Sequence, residues 1–475
     1  MLFYEPLFLF VFFPSFYLIY LLGERREGLR HGVILGASVL FYAWSEPLFV
    51  PVVLASALAD HLIALRLQRL PSSSRGARTL LAVGVLINLG ILVHYKYTRF
   101  LIANLDGLLS GALAGPIPVP DIILPIGVSF IVFEKITYLV DVYRGISRPA
   151  RRFQTYLLYV FFFPKLLAGP IIKYHEMESQ LRALPAARFD DISTGFLRFM
   201  VGVAKKTLIA DTVSIGADQI FAADPARIGF SQAWAGVLLF TFQIYFDFSG
   251  YSDMAIGIAR MLGFRLRENF DMPYISCSIT EFWRRWHISL TTWIREYLYI
   301  PLGGNRVSPG RLYLNLWVCF LASGLWHGAA WTYVVWGAYN GLFLVLDRVF
   351  LLRVLDRMPR ILANLVTFAI VVVGWTIFRA HSLDQALDFL RAMAQPGLST
   401  HAAGMMVTPD VKIAALLAAV ICVLPRVPGF HRARHFVLTA PGWNLSMQTA
   451  ISLVFVLAVG KAVADPFKPF LYFRF

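Results

Sequence analysis

Two histidines sit where a proton could be moved inside an apolar phase. His287 lies in the run Phe282-Trp283-Arg284-Arg285-Trp286-His287-Ile288-Ser289, and His327 in Ser323-Gly324-Leu325-Trp326-His327-Gly328. Imidazole, with an unperturbed pKa of about 6.5, accepts and returns a proton near neutrality, and a hydroxyl that attacks an acyl group must lose one. His327 is the sharper candidate for a general base. Its segment is otherwise uncharged, and Gly324 and Gly328 frame it at the spacing that lets helices approach closely. Each ring also has a plain structural reading: a lone hydrogen-bonded histidine for His327, and an interfacial Trp-Arg-Arg-Trp anchor for His287.

A second concentration of polar groups runs from Gln243 to Gly257 and carries Asp247, Ser249, Ser252 and Asp253. Ionisable groups at membrane depth cost free energy, so those that persist are candidates for function. A carboxylate here could orient a histidine or bind a cation; pairing with a neighbouring basic side chain explains it as well. Gly250 and Gly257 permit close helix contact. Other chemistries find no support. There is no Gly-x-Ser-x-Gly elbow, P-loop, His-Glu-x-x-His motif or Asp-x-Asp pair, and no metal site is expected. Cys277, Cys319 and Cys422 are far apart, show no metal or disulfide spacing, and read as packing residues.

The elements that must position these groups are membrane helices. Of the 475 residues, 58% are hydrophobic and only 15% are charged, which is far from a soluble composition. The 40 Phe, 20 Tyr and 11 Trp suit lipid-facing helices and interfacial belts. Apolar stretches recur at Pro6–Leu22, Val33–Ala64, Leu80–His94, Ile122–Val140, Tyr156–Ile172, Phe196–Ile209, Trp234–Phe246, Leu312–Trp326, Trp331–Leu346, Ile361–Phe378, Ile413–Leu424 and Ile451–Val463. Several are short or broken, so the expectation is an all-α, polytopic protein with roughly eleven to thirteen membrane-embedded helices, some re-entrant. Residues 1–22 lack a basic region and a cleavage site and read as a first membrane helix rather than a signal peptide.

The net charge of +15 could suggest nucleic acid, but there is no basic soluble domain to carry it. Arginines cluster in short loops instead, as at Arg66, Arg69, Arg75 and Arg78, and at Arg144, Arg148, Arg151 and Arg152. That is the positive-inside pattern, with anionic lipid heads as partners. With no repeat, low-complexity tract or long linker, residues 1–475 read as a single domain. Between Tyr174 and Ile192, Met177, Leu181 and Leu184 fall at helical spacing beside Glu176, Glu178 and Arg182, as in an amphipathic interfacial helix.

These residues, taken together, resemble the membrane-bound O-acyltransferase family, and within it the bacterial branch of alginate O-acetyltransferases. The similarity runs through Phe41-Tyr-Ala-Trp44, Leu124-Pro-Ile-Gly127, Asp141-Val-Tyr-Arg-Gly145, Phe163-Pro-Lys-Leu-Leu-Ala-Gly169, Lys205-Lys206 with Asp211, Gln243–Gly257, Asn269–Tyr274, Trp283–Trp293 and Gly324–Gly328 to the ending Phe470–Phe475. The stretch Phe133-Glu134-Lys135 departs from the family pattern. The resemblance implies helices around a central tunnel, His327 at the family's intramembrane histidine, and His287 at its second, Asn-or-His position. It implies an enzyme of the bacterial inner membrane that moves an acetyl group from a cytoplasmic donor, acetyl-CoA, for O-acetylation of an exopolysaccharide such as alginate.

Cellulose, peptidoglycan or a teichoic-acid-like polymer are alternative acceptors. A periplasmic or membrane-anchored acetyltransferase is an expected partner, and no bound cofactor is expected. In the expected mechanism His327 is the general base while His287 orients groups or stabilises an oxyanion. Tyr472, in the aromatic tail, is either a transient acyl carrier or an interfacial anchor. Two other classes stay open: a lipid-linked sugar transporter, which would run on an ion gradient, and a membrane glycosyltransferase, which would need a sugar donor.

Overall fold

The computed structural model describes residues 1–23, 26–109, 115–224, 228–396, 407–427, 429–430, 441–465 and 468–471, with side chains of the last helix from Leu445 onward. All regular structure among the described residues is helical. The chain falls into two compact units, Met1–Gly195 with Ile258–Arg267, and Phe196–Gly257 with the described residues from Glu268 on.

The first unit holds α1 (Phe13–Leu22, entered through a π-helical turn at Phe8–Phe12), α2 (Glu27–Ser45), α3 (Val50–Leu67), α4 (Arg75–Leu92), α5 (Thr98–Leu109), α6 (Val128–Tyr143), α7 (Phe153–Phe161), α8 (Phe163–Leu166), α9 (Tyr174–Arg182) and the start of α10 (Phe189–Ala204). Prolines set several of the breaks. The apolar stretch Val33–Ala64 becomes two helices because Pro47 pushes Glu46 out of helical conformation, to φ −132° and ψ 55°. α6 starts only at Val128, after Pro125 and a left-handed Gly127 at φ 78°. α9 realises the amphipathic reading, burying Tyr174, Met177 and Leu181.

Rings of Phe3, Phe8, Phe16, Phe41 and Phe163 fill one end of this unit, Phe3 lying 5.0 Å from Phe8 and Phe16 5.2 Å from Phe163. Its interior also holds charge. Lys135 Nζ lies 3.3 Å from Asp60 Oδ2, Asn88 donates to Asp60 Oδ1 at 2.8 Å, and Lys165 pairs with Glu134. The adjacent Glu134 and Lys135 thus each find an opposite charge, which is the condition for keeping ions in an apolar interior.

The second unit continues α10 through a π-helical turn, Lys205–Ala210, into α11 (Asp211–Phe221). It then takes in most of α12 (Phe230–Met261), α13 (Ile279–Arg285), α14 (Ile288–Ile294), α15 (Pro309–His327), α16 (Trp331–Leu346), α17 (Leu352–Leu355), α18 (Arg360–Arg379), α19 (Leu383–Ala394), α20 (Pro409–Val423) and α21 (Pro441–Ala464). Two backbone-to-backbone contacts organise it. A Cβ on Gly202 would meet the Gly250 carbonyl at 2.7 Å, so α10 and α12 cross at glycine, as the sequence suggested for Gly250. A Cβ on Gly324 would stand 2.2 Å from the Tyr333 carbonyl, and one on Gly337 2.4 Å from that of Phe320. The α15–α16 hairpin is therefore sealed by absent side chains.

Among the described residues, four stretches are long and apolar enough to cross a bilayer by length and composition: Val50–Leu67, Arg75–Leu109, Arg360–Arg379 and Leu445–Ala464, with Phe8–Leu22 a shorter apolar helix. The other apolar stretches form helices that are shorter, interrupted or more polar.

Candidate active site

His327 is the last residue of α15, where the chain leaves the helix into an extended Gly328. Its ring is 3% exposed, and Nδ1 lies 2.6 Å from the Ser323 carbonyl one turn back. A carbonyl only accepts, so Nδ1 must carry the proton and Nε2 the lone pair. Rings surround it: Trp326 at 5.1 Å, Trp336 at 4.9 Å and Phe378 at 5.6 Å between centroids, all edge to face.

His287 forms the corner between α13 and α14, with left-handed backbone at φ 42° and ψ 54°. For a side chain branched to a ring, such a conformation costs about 1–3 kcal/mol and persists only where the surroundings impose it. Asn269 is what imposes it. Its Oδ1 accepts from Ser289 N at 3.2 Å, from Ser289 Oγ at 2.9 Å and from His287 Nδ1 at 3.1 Å, while its backbone carbonyl accepts from Ile288 N at 3.0 Å. Because a backbone N–H can only donate, the Asn269 atom facing Ser289 is the oxygen, so His287 Nδ1 donates to it. His287 thus has the same tautomer as His327, with the lone pair on Nε2.

The rest of the loop is anchored on both sides. Asn269 Nδ2 donates to Ser252 Oγ of α12 at 3.2 Å. Tyr274 donates to the Thr241 carbonyl at 2.6 Å, and Asn364 of α18 donates to the carbonyls of Tyr274 and Ser276 at 2.9 and 2.7 Å. Ser278 caps α13, and Asp347 accepts from Thr280 N and Oγ1, both at 2.8 Å.

The two imidazoles share a neighbour. Trp326 lies 5.9 Å from His287 and 5.1 Å from His327, and Phe248 meets His287 edge-on at 4.7 Å. The structure therefore gathers into one aromatic chamber two rings that are 40 positions apart in the chain. Both are wholly or almost wholly buried.

Asp247 and Asp253 go elsewhere. Asp247 Oδ1 lies 2.8 Å from Lys206 Nζ and Oδ2 accepts from Leu471 N at 2.7 Å; Lys206 also reaches Asp211 Oδ1 at 2.7 Å. Asp253 is held by Arg198 Nη2 at 2.9 Å and Lys205 Nζ at 2.6 Å. Of the two readings open from the sequence, the ion-paired one describes both carboxylates. Tyr472 lies outside the described residues. Among those residues no group of three His, Cys, Asp or Glu side chains is arranged to hold a metal ion.

Comparison with known proteins gives this geometry a family. The model of the membrane-bound O-acyltransferase family matches residues 151–383. The "Probable alginate O-acetylase AlgI" of Azotobacter vinelandii is 38% identical over 504 aligned positions, covering all of both chains. The protein of the same name in Pseudomonas aeruginosa is 43% identical over 83% of this chain and 75% of its own. The peptidoglycan O-acetyltransferase of Helicobacter pylori is 36% identical over 83% of this chain and 80% of its own.

The chain belongs to the membrane-bound O-acyltransferase family.

It is accordingly a membrane protein and an O-acyltransferase, as the resemblance implied. The family stretch contains both histidines, both carboxylates, Lys206 and Asn269, while Lys468–Leu471 lies beyond it. Asn269 and Lys206 belong to motifs visible in the sequence, but nothing in those motifs assigns either one a role. Nothing local marks an asparagine 18 positions from a histidine as its anchor. The usable signal for Lys206 was a cation inside an apolar run with two carboxylates, Asp211 and Asp247, in need of one.

Proposed function

We propose that this membrane-bound O-acyltransferase moves an acetyl group from acetyl-CoA at the cytoplasmic face of a bacterial inner membrane to a hydroxyl of a secreted polysaccharide. It works as one catalytic domain whose many membrane-embedded helices enclose a tunnel. The reading rests on one observation: two buried histidines in a single aromatic chamber, each with Nδ1 committed to an acceptor and Nε2 carrying the lone pair.

In the proposed step His327 Nε2 takes the hydroxyl proton as the oxygen attacks the thioester carbon. The tetrahedral intermediate then collapses, and the departing thiolate takes that proton back from the imidazolium. The imidazolium is formed at the C-terminal end of α15, where the aligned peptide dipoles place partial negative charge. His287, fixed by Asn269, accepts a hydrogen bond at Nε2 and orients the attacking hydroxyl. With its proton on Nδ1 it has no donor for an oxyanion, so orientation suits it better than the alternative role expected from the sequence. Thioesters are activated donors, and a narrow tunnel would pass acetyl while retaining the much larger CoA.

Alginate is the acceptor best supported, by relatives that match the chain from end to end and are named alginate O-acetylases. Other envelope glycans remain the second choice, since a named peptidoglycan O-acetyltransferase is nearly as similar. We further propose a periplasmic or membrane-anchored acetyltransferase as partner, anionic lipids along the arginine-rich loops, and Tyr472 as a transient acyl carrier. Radiolabelled acetyl transfer from acetyl-CoA in purified vesicles tests the reaction. His327→Ala should abolish transfer while leaving the protein in the membrane; transfer at the wild-type rate would overturn the assignment. Tyr472→Phe tests the carrier role in the same assay.

A further inference from the structure

The last described residues, Lys468–Leu471, run into the interior of the second unit. Phe470 is fully buried and Leu471 3% exposed. The preceding helix α21 does little to hold them there, since only 6% of its apolar window is buried.

The segment has its own seat. Lys468 Nζ donates to the Asp211 carbonyl at 2.7 Å and to Ser214 Oγ at 3.2 Å. Leu471 N donates to Asp247 Oδ2 at 2.7 Å, and Lys206 pairs with both Asp247 and Asp211. Between these polar ties the Phe470 ring lies 4.8 Å from Tyr251 and 5.8 Å from Phe248. Phe248 in turn meets the His287 ring at 4.7 Å and 87°. Phe470, Phe248 and His287 therefore form one continuous run of ring contacts, tilted and then edge to face.

We propose that Lys468–Leu471 is a strap belonging to the active site: Phe470 is a positioning residue that props Phe248, and through it the catalytic face of His287. Asp247 and Lys206 contribute by seating the strap. The inference rests on the reading of His287 as part of the reaction centre. It is independent of Tyr472, whose acyl-carrier role requires only that the tail be present.

The test compares Phe470→Ala, Phe470→Leu, His287→Ala and Tyr472→Phe in purified vesicles, with rates expressed per folded enzyme and melting temperatures recorded alongside. A wedge removed from behind a catalytic ring displaces it by a fraction of an ångström to an ångström, and such shifts cost about tenfold to a hundredfold in rate. Phe470→Ala should therefore lower kcat by that factor, leave the KM for acetyl-CoA within about twofold, and alter the pH profile of kcat. Phe470→Leu, which refills part of the volume, should recover part of the rate. If Phe470→Ala reduces only the yield of folded protein and kcat per folded enzyme is unchanged, the segment is merely a fold latch and the proposal fails. If His287→Ala is as active as wild type, the reading of the site fails and takes the proposal with it. An inactive His287→Ala beside a fully active Phe470→Ala overturns the proposal alone.

Discussion

Replacing Asn269 with alanine removes a single side-chain oxygen on which the His287 corner depends. That oxygen accepts from Ser289 N at 3.2 Å and from His287 Nδ1 at 3.1 Å, in a site where Asn269 itself is 1% exposed. Each buried donor left without a partner costs about 1–3 kcal/mol, so the two together cost about 2–6 kcal/mol. Ser289 Oγ, 3.4 Å from His287 Nδ1, can recover part of this. The loss is expected to be local, because the left-handed backbone of His287 stores about 1–3 kcal/mol of strain that is released as the corner relaxes.

Two effects on catalysis then differ in size. Freeing the tautomer alone puts the proton on the wrong nitrogen in about half of the molecules, a factor of about two. Displacing the ring by about 1 Å costs about a hundredfold. The expected result for Asn269→Ala is thus a kcat lowered about a hundredfold in purified vesicles, with folded protein still recovered from the membrane. Asn269→Asp, which keeps the accepting oxygen, should hold the corner better while losing the donation to Ser252. A kcat for Asn269→Ala within about threefold of wild type would refute the view that Asn269 positions His287.

Three further outcomes follow from other parts of the molecule. Gly324→Val should prevent accumulation of folded protein in the membrane, because even its Cβ would stand 2.2 Å from the Tyr333 carbonyl and backbone cannot yield as a side chain does; membrane abundance measures it. Lys206→Met leaves the buried Asp247 without its cation, at a cost of about 3–5 kcal/mol, and adding Asp247→Asn should restore part of the lost thermal stability. His175, on α9 outside the apolar spans, has its pKa raised chiefly by its hydrogen bond to Asp141 at 2.9 Å, so the protonated form is favoured in the folded state. The stability this gives is complete below the unfolded value of about 6.5 and is lost as pH rises through the raised value, so the melting-temperature advantage of wild type over His175→Gln should shrink towards alkaline pH.

Much of this protein is legible in the chain because lipid imposes simple demands. Runs of Phe, Leu and Val with few charges can only be membrane helices, and the boundaries of α16 and α18 fall within a residue of their apolar stretches. Pro47, Pro125 and Pro164 mark real interruptions. Of the glycines singled out in sequence, Gly324 and Gly250 do make close helix contacts, whereas Gly328 lies past the end of α15 against the Tyr333 ring. His327 was visible because an ionisable group at the end of an uncharged stretch, Leu312–Trp326, stands out from its own neighbours.

What the residues do for one another was decided in three dimensions. Asp247 and Asp253 look alike in sequence, six positions apart on one helix, yet one seats the C-terminal tail and the other pairs with Arg198 and Lys205. Glu134 and Lys135, adjacent in the chain, each find a partner on a different element, Lys165 and Asp60. The sequence by itself determined the solvent, the helices and the family to which the chain belongs, since hydropathy, proline and ordered motifs are local properties. The tertiary structure alone decided that Asn269 accepts from His287, that one ring, Trp326, lies near both imidazoles, and that Phe470 packs against Phe248. Those relations are distances between residues far apart along the chain, and no spacing in sequence encodes a distance that only packing sets.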